Sequence, residues 1–346
     1  MSLEDDDENL EPPHPRAMQA LFGHGDAERA LLDGYRGGRI PHAWLIGGPA
    51  GIGKATLAYR LARFVLAYPD PSAPPVQAAA SLAVPADNPV ARQIAAQGRG
   101  DLLALERTEG ETGKLRTVIT VDQVRRTVSF FGSTASAGGW RVCIVDSADE
   151  LQYPQAANAL LKVLEEPPPQ ALLLLVSHAP ARLLPTIRSR CRRLGLRALA
   201  EEDVISGAAQ ALCRDPSDAR LRQIAALAEG SIGRAVMLSS GPALALRKRT
   251  SELLERLPAL DPHALHAIGD AIGGTEPQKL ENFIDAVNVW LADRLEDPRR
   301  TVDERFRLAE AWDRINIAAR DADIYNLERK PLVFRVFGWL AEAAHR

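Results

Sequence analysis

One stretch limits what this chain can fold into more than any other: Gly48-Pro49-Ala50-Gly51-Ile52-Gly53-Lys54. The apolar run His42-Ala43-Trp44-Leu45-Ile46 precedes it and Thr56-Leu57-Ala58-Tyr59-Arg60-Leu61-Ala62 follows. Strand, glycine-rich turn and helix therefore come in the order that a G-x-x-x-x-G-K phosphate loop requires. Glycines let the backbone approach an anion, the first N–H groups of the helix point at it, and the lysine reaches the outer phosphates. Gly48, Gly51, Gly53 and Lys54 are the candidate phosphate-binding residues. The next position normally carries a hydroxyl that holds magnesium, and here it is Ala55. Thr56 is one residue further on, and one helical step turns its side chain by about 100°.

Strands and helices alternate after this loop. Asp101-Leu102-Leu103-Ala104-Leu105 and Trp140-Arg141-Val142-Cys143-Ile144-Val145-Asp146 read as strands, the second ending in a carboxylate. Asp146 is a candidate for the metal-facing acid of a nucleotide site, and Cys143 reads as a small buried side chain. Asp122 is expected to cap a helix through Val124, Val128 and Phe131, and residues 91–97 form a short helix. A helix over 154–164 stops at Glu165-Glu166-Pro167-Pro168-Pro169. The strand Ala171–Ser177 then brings Ser177 and His178 to the edge already holding Asp146. The alternation implies a parallel α/β sheet with ligands beyond its carboxyl ends. A helical pattern is also predicted over 17–35, and an irregular insertion over 68–89. Arg188, Arg190, Arg192 and Arg193 form either a solvated basic turn or a device that holds one arginine toward a phosphate.

Beyond Ala198 the pattern is helical throughout. Asp215-Pro216-Ser217 is expected to cap a helix through Leu221, Ile224 and Leu227, and Ser231 with Gly233 and Arg234 opens another. Leu280, Phe283, Ile284, Val287 and Leu291 form one apolar stripe, and Phe306, Ala309, Trp312 and Ile315–Ala319 a second. Trp290, Trp312 and Trp339 are read as core residues rather than stacking platforms. The expected organisation is an acidic disordered tail over 1–16, an α/β domain over 17–198, a helical lid over 199–242 and a helical bundle over 243–346.

Composition narrows the function. At 346 residues the chain can bury two or three cores. A net charge of −3 means that any nucleic-acid contact must come from a local patch or from partners. Cys143, Cys191 and Cys213 lie far apart with no C-x-x-C pair, which argues against zinc and disulfides and for a reducing compartment. With no leader-like amino terminus and no run able to span a bilayer, a cytoplasmic protein with no membrane contact is expected.

The segments together resemble the clamp-loader branch of the AAA+ ATPases, as found in bacterial DNA polymerase III. The resemblance rests on Arg39-Ile40-Pro41-His42-Ala43-Trp44 ahead of the loop, VDSADELQ at 145–152 and NALLKVLEEPP at 158–168. Ser189-Arg190-Cys191 and Gly230-Ser231-Ile232-Gly233-Arg234 complete it. It implies an α/β P-loop (AAA+) domain with a parallel sheet, a small helical lid and an all-α collar that serves oligomerisation. Lys54 and the glycines would bind ATP phosphates, with Ala55 and Thr56 beside them. Asp146 would be the Walker B acid, Ser177 sensor 1 and Arg234 sensor 2. Arg190 would be an arginine finger reaching a neighbouring subunit's ATP. The implied partners are gamma/tau and delta subunits in a hetero-oligomer, the sliding clamp, and primer–template DNA through the assembled complex.

The departures matter equally. Ala55 lacks the magnesium hydroxyl, and Ser147 stands where a hydrolysing relative carries the glutamate that activates water. Residues 68–100 contain no cysteine, although many relatives carry a four-cysteine zinc module there. One reading is a non-motor subunit with weak or vestigial ATP binding, magnesium only with the nucleotide, no zinc, no polymerase activity and little or no ATPase. The alternative is an active gamma/tau-like motor in which Thr56 completes the magnesium shell and Asp149 or Glu150 orients water. An ATP-binding adaptor outside replication is the third, and Ser189-Arg190-Cys191 counts against it.

Overall fold

The computed structural model describes residues 13–109, 116–132, 139–239, 241–273, 277–325 and 327–344. The acidic block at 4–8 lies outside them. The chain divides into two compact units, one ending at Val236 and one beginning at Met237. Among the described residues no helix is long and apolar enough to cross a membrane.

The first unit begins with α1 (Gly25–Arg36), β1 (Ala43–Gly47), α2 (Lys54–Ala67), α3 (Pro74–Ala78), α4 (Pro89–Ala95) and β2 (Leu102–Leu105). It continues with α5 (Val121–Gly132), β3 (Arg141–Val145), α6 (Gln155–Glu165), β4 (Ala171–Ser177), α7 (Pro185–Arg190) and β5 (Arg192–Gly195). Next come α8 (Glu201–Ala211), α9 (Ala219–Leu227) and α10 (Ile232–Leu238). The five strands form one parallel sheet in the order β2-β3-β4-β1-β5. Every residue of β1 and β4 is buried, which is why their sequences carry no polar alternation. Leu45, Val145, Leu173 and Leu175 pack with Val124, Leu160, Leu164 and Ile187 in one core. Each such fully buried leucine contributes about 1.5–3 kcal/mol.

Several local expectations are corrected. The helix predicted over 17–35 spans only Gly25–Arg36, because Gly23 and His24 both adopt positive φ and end the preceding extended arm. Asp122 lies inside the first turn of α5 rather than capping it. Asp218, not Asp215, caps α9 by accepting from the Arg220 N–H. The insertion over 68–89 contains α3, buries Val76, Leu82 and Val84, and is fastened to α1. Arg36 donates to the carbonyls of Val76 and Ala79, and the Glu28 carboxylate accepts from the Leu82 N–H. Leu184–Arg193 is a short helix followed by an edge strand rather than a solvated turn.

The second unit is a bundle of α11 (Gly241–Glu255), α12 (Pro262–Ile272), α13 (Pro277–Glu296), α14 (Val302–Ile324) and α15 (Arg329–Ala344). Its core joins Leu253, Ile268, Phe283, Val287, Leu291, Leu308, Ile315, Val336 and Phe337. A capping box starts α14: the Thr301 hydroxyl accepts from the Glu304 N–H, and the Glu304 carboxylate accepts from the Thr301 N–H. Trp290 is buried, and Trp312 and Trp339 pack against the core as expected. The stripe read through Phe306 and Ala309 is displaced, because α14 faces its core with Leu308, Ala311, Ile315 and Ala318 and leaves Phe306 and Ala309 exposed.

Candidate functional site

The carboxyl edge of the sheet brings together the glycine loop, Asp146 and Ser177. β1 ends at Gly47, directly opposite Ser177 on β4 and Gly195 on β5, and β3 runs out into Asp146. The loop Gly48–Gly53 leaves this edge and turns into α2. Gly48 has φ 149°, and a Cβ there would lie 2.4 Å from the Leu196 carbonyl oxygen. Gly51 has φ 72°, and a Cβ would lie 2.3 Å from the Ser231 hydroxyl oxygen. Neither place admits a side chain.

Lys54 is 3% exposed, and its ammonium donates to the carbonyl of Gly48 at 2.7 Å and to that of Pro49. Burial pushes its pKa down to about 8, against the opposing pull of the Asp146 and Asp149 charges. Burial and the nearby Glu106 charge hold the Asp146 carboxyl above the usual carboxylate range, against the pull of Lys54. Desolvation by the surrounding protein and the Lys54 charge lower the pKa of His178 to about 4, so its imidazole is neutral at pH 7.

Asp149 is the polar hub of this edge. Its carboxylate accepts from the hydroxyls of Ser147 and Ser177, each at 2.8 Å, and from the N–H groups of His178 and Ala179. Burial would raise its pKa, but the His178 N–H and the two hydroxyls outweigh that and hold it below the usual range. Glu150 points elsewhere and pairs with Arg107 at 3.0 Å.

A cavity of about 570 Å³ opens over the loop. Gly51, Gly53, Lys54, Ala55, Thr56, Asp146 and His178 line its polar side. Met18, Leu21 and Phe22 of the amino-terminal arm and Ala211, Ile232 and Val236 line its apolar side. Gly48, Ser177 and Arg234 are not among its lining residues. The arm was missed in the sequence. Its fastening to α2 depends on Arg63, whose 1% exposed guanidinium donates to the Met18 carbonyl at 2.5 Å and the Gln19 side chain at 2.9 Å. The apolar Leu21-Phe22-Gly23 cluster was the available signal, and it was absorbed into a helical pattern.

The start of α10 closes directly on the loop. The Ser231 hydroxyl donates to the Ala50 carbonyl at 3.0 Å, and the Gly233 N–H donates to the Gly51 carbonyl at 2.9 Å. Arg234 turns back, with its guanidinium donating to the Ala228 carbonyl at 3.1 Å and the Glu229 carboxylate at 3.3 Å.

Arg190 lies elsewhere. It ends α7, just before β5, whose first residue Arg192 pairs with Trp44 near the amino end of β1. Arg190 therefore sits at the amino edge of the sheet and the phosphate loop at the carboxyl edge, roughly 15 Å apart at about 3.3 Å per strand residue. Its guanidinium donates to the Thr186 carbonyl at 3.0 Å and pairs with Glu165 at 2.8 Å. Arg192 and Arg193 are exposed on the edge strand.

The residues fit a nucleotide better than its metal. The glycine loop and Lys54 suit phosphate, and the apolar wall suits a base. Among the described residues Asp146 is the single carboxylate lining the cavity, and the Ala55 side chain offers no oxygen. Among the described residues no group of three or more His, Cys, Asp or Glu side chains is placed to hold a metal ion.

Comparison with known proteins gives consistent matches. A family model described as DNA polymerase III, delta subunit, matches residues 23–200. DNA polymerase III subunit delta' of Pseudomonas aeruginosa is 39% identical over 197 residues, covering 56% of this chain and 55% of that one. Subunit delta' of Escherichia coli is 31% identical over 218 residues, covering 61% and 58%. Subunit tau/gamma of Haemophilus influenzae is 26% identical over 285 residues, covering 80% and 39%. The chain thus spans little more than half the length of the two delta' relatives.

Proposed function

Since the chain belongs to the DNA polymerase III delta-subunit family, we propose that it acts as a delta'-type stator of the clamp loader. In this reading it works in the cytoplasm beside gamma/tau and delta subunits, helping to place the sliding clamp on primer–template DNA. It binds ATP weakly, hydrolyses little, and presents Arg190 to ATP held by a gamma/tau neighbour.

The position of Arg190 carries this reading. A guanidinium at the amino edge cannot serve a nucleotide cradled at the carboxyl edge of the same sheet, but by exchanging its Glu165 partner it can turn to another chain. Such an arginine stabilises charge developing on a transferred phosphoryl group and is worth roughly three to five powers of ten in rate. The chain's own cradle supports the same reading. Gly51, Gly53 and Lys54 would hold phosphate in the turn that Gly48 opens, with Thr56 beside it, while Ser177 stays on Asp149, Arg234 on Ala228 and Glu229, and Ala55 offers magnesium nothing. Magnesium, where bound, would neutralise phosphate charge beside Asp146. Asp149, the candidate for orienting water in a motor, is committed to Ser147, Ser177, His178 and Ala179. Glu150 is paired with Arg107.

Arg190→Ala in the reconstituted loader tests the reading. Assembly should persist while DNA-stimulated ATPase falls at least tenfold, and the isolated wild-type chain should hydrolyse negligibly. Unchanged loader ATPase would remove Arg190 from the role. Robust hydrolysis by the isolated chain, abolished by Lys54→Ala, would instead favour the motor reading.

A further inference from the structure

The cavity over the glycine loop is equipped for two phosphates rather than three. Lys54 is the one lysine or arginine among its described lining residues. His178 is neutral at pH 7, and His14 is paired with Glu106 at 3.0 Å. Ser177 and Arg234, the side chains expected around an outer phosphate, are bonded elsewhere in the chain. The Ser177 hydroxyl donates to Asp149 at 2.8 Å. The Arg234 guanidinium donates to the Ala228 carbonyl at 3.1 Å and to the Glu229 carboxylate at 3.3 Å. A third phosphate would face the Asp146 carboxylate with no second cation beside it, and turning Ser177 or Arg234 toward it would break bonds already made. Magnesium, which normally neutralises that charge, is held by a loop hydroxyl and a strand acid. Here Ala55 has no hydroxyl, and burial raises the pKa of Asp146 and so disfavours the ionised form that a metal needs.

We propose that this site takes a nucleoside diphosphate without magnesium, in preference to a triphosphate with its metal; that the loop binds a nucleotide rests on the function proposed above. Two phosphates need only the glycine backbone, the first N–H groups of α2 and one lysine. Lys54 already lies inside the loop, donating to the Gly48 carbonyl at 2.7 Å, and it reaches a β-phosphate by exchanging a neutral carbonyl for a charged oxygen. The loop keeps its shape without a metal, because the Ser231 hydroxyl and the Gly233 N–H hold the Ala50 and Gly51 carbonyls. Met18, Leu21, Phe22, Ile232 and Val236 offer the base an apolar wall. The diphosphate would then be a standing part of the fold, touching the arm, α2 and α10 at once, rather than the residue of a hydrolysed substrate.

Calorimetric titration of the full chain with ADP and with ATP, each in EDTA and in excess magnesium, tests this. ADP in EDTA should bind at least tenfold more tightly than ATP with magnesium, and magnesium should change the ADP affinity by less than about twofold. Saturating ADP in EDTA should also raise the melting temperature, an effect that Lys54→Met removes. Ala55→Thr supplies the missing hydroxyl and should make ATP bind at least tenfold more tightly in magnesium than in EDTA. A smaller preference for ADP in the wild type, or none, would overturn the choice of diphosphate. A larger effect of magnesium on ADP would overturn metal independence, and an Ala55→Thr variant indifferent to magnesium would overturn the part assigned to the absent hydroxyl. A folded wild type that binds neither nucleotide would overturn the inference as a whole. None of these outcomes touches Arg190, whose role stands or falls on the loader ATPase of Arg190→Ala.

Discussion

Lys54 shows how a loop residue couples site chemistry to stability. Its pKa is about 8 in the folded chain against an ordinary 10.5. The unfolded chain therefore binds more protons than the folded one between these values, and stability from this group rises with pH across that window. Below about pH 8 the ammonium is charged in both states and its burial cost is present in full. Comparing wild type with Lys54→Met removes the contributions of other titrating groups. The stability of wild type relative to this variant should increase by up to about 3 kcal/mol from pH 8 to pH 10.5, measured by urea unfolding. A pH-independent difference would show that the lysine is solvated rather than held by Gly48 and Pro49. Asp149 makes the complementary point at the same scale. The sequence marks it only as an acid near Asp146, whereas folding makes it the acceptor that fixes Ser147, Ser177 and the end of β4. No spacing rule reveals this, because the donors come from residues up to 30 positions away.

At the scale of elements, legibility followed burial. β1, β3 and β4 could be read because strands covered on both faces are nearly continuous apolar runs. β5 could not, since Arg192-Arg193-Leu194-Gly195 is an exposed edge strand in which charge prevents pairing with other chains. The arm over 13–24 and the packing of the insertion over 68–89 were missed for another reason. Their order comes from long-range partners such as Arg63, Arg36 and Glu28, not from local periodicity. The glycine turn between β1 and α2 was legible, but the contact between α10 and the loop was not. That contact gives a test of its own. Gly51→Ala puts a methyl at positive φ against the Ser231 oxygen, a strain of about 1–3 kcal/mol. Hydrogen exchange at Gly233–Leu238 should accelerate markedly in this variant, while amides of β4 stay protected. Unchanged exchange at α10 would mean that the contact does not hold it.

The molecule as a whole consists of two units with separate cores. Residues 237–346 contain five helices whose apolar faces close on one another, so this piece should fold alone. Expressed by itself it should show helical circular dichroism and a single cooperative melt, and a broad non-cooperative melt would contradict the division. Under the role proposed above, the first unit would present Arg190 at one edge of its sheet and the glycine loop at the other, so the chain would have a head and a tail. Unlike faces that meet in this way build a directional series of subunits. A member that handed an arginine forward while carrying Ala55 in place of the metal-binding hydroxyl and Ser147 in place of the acid would give a preceding arginine nothing to act on. It would terminate the series, and so provide a fixed starting point from which the order of the remaining subunits can be counted.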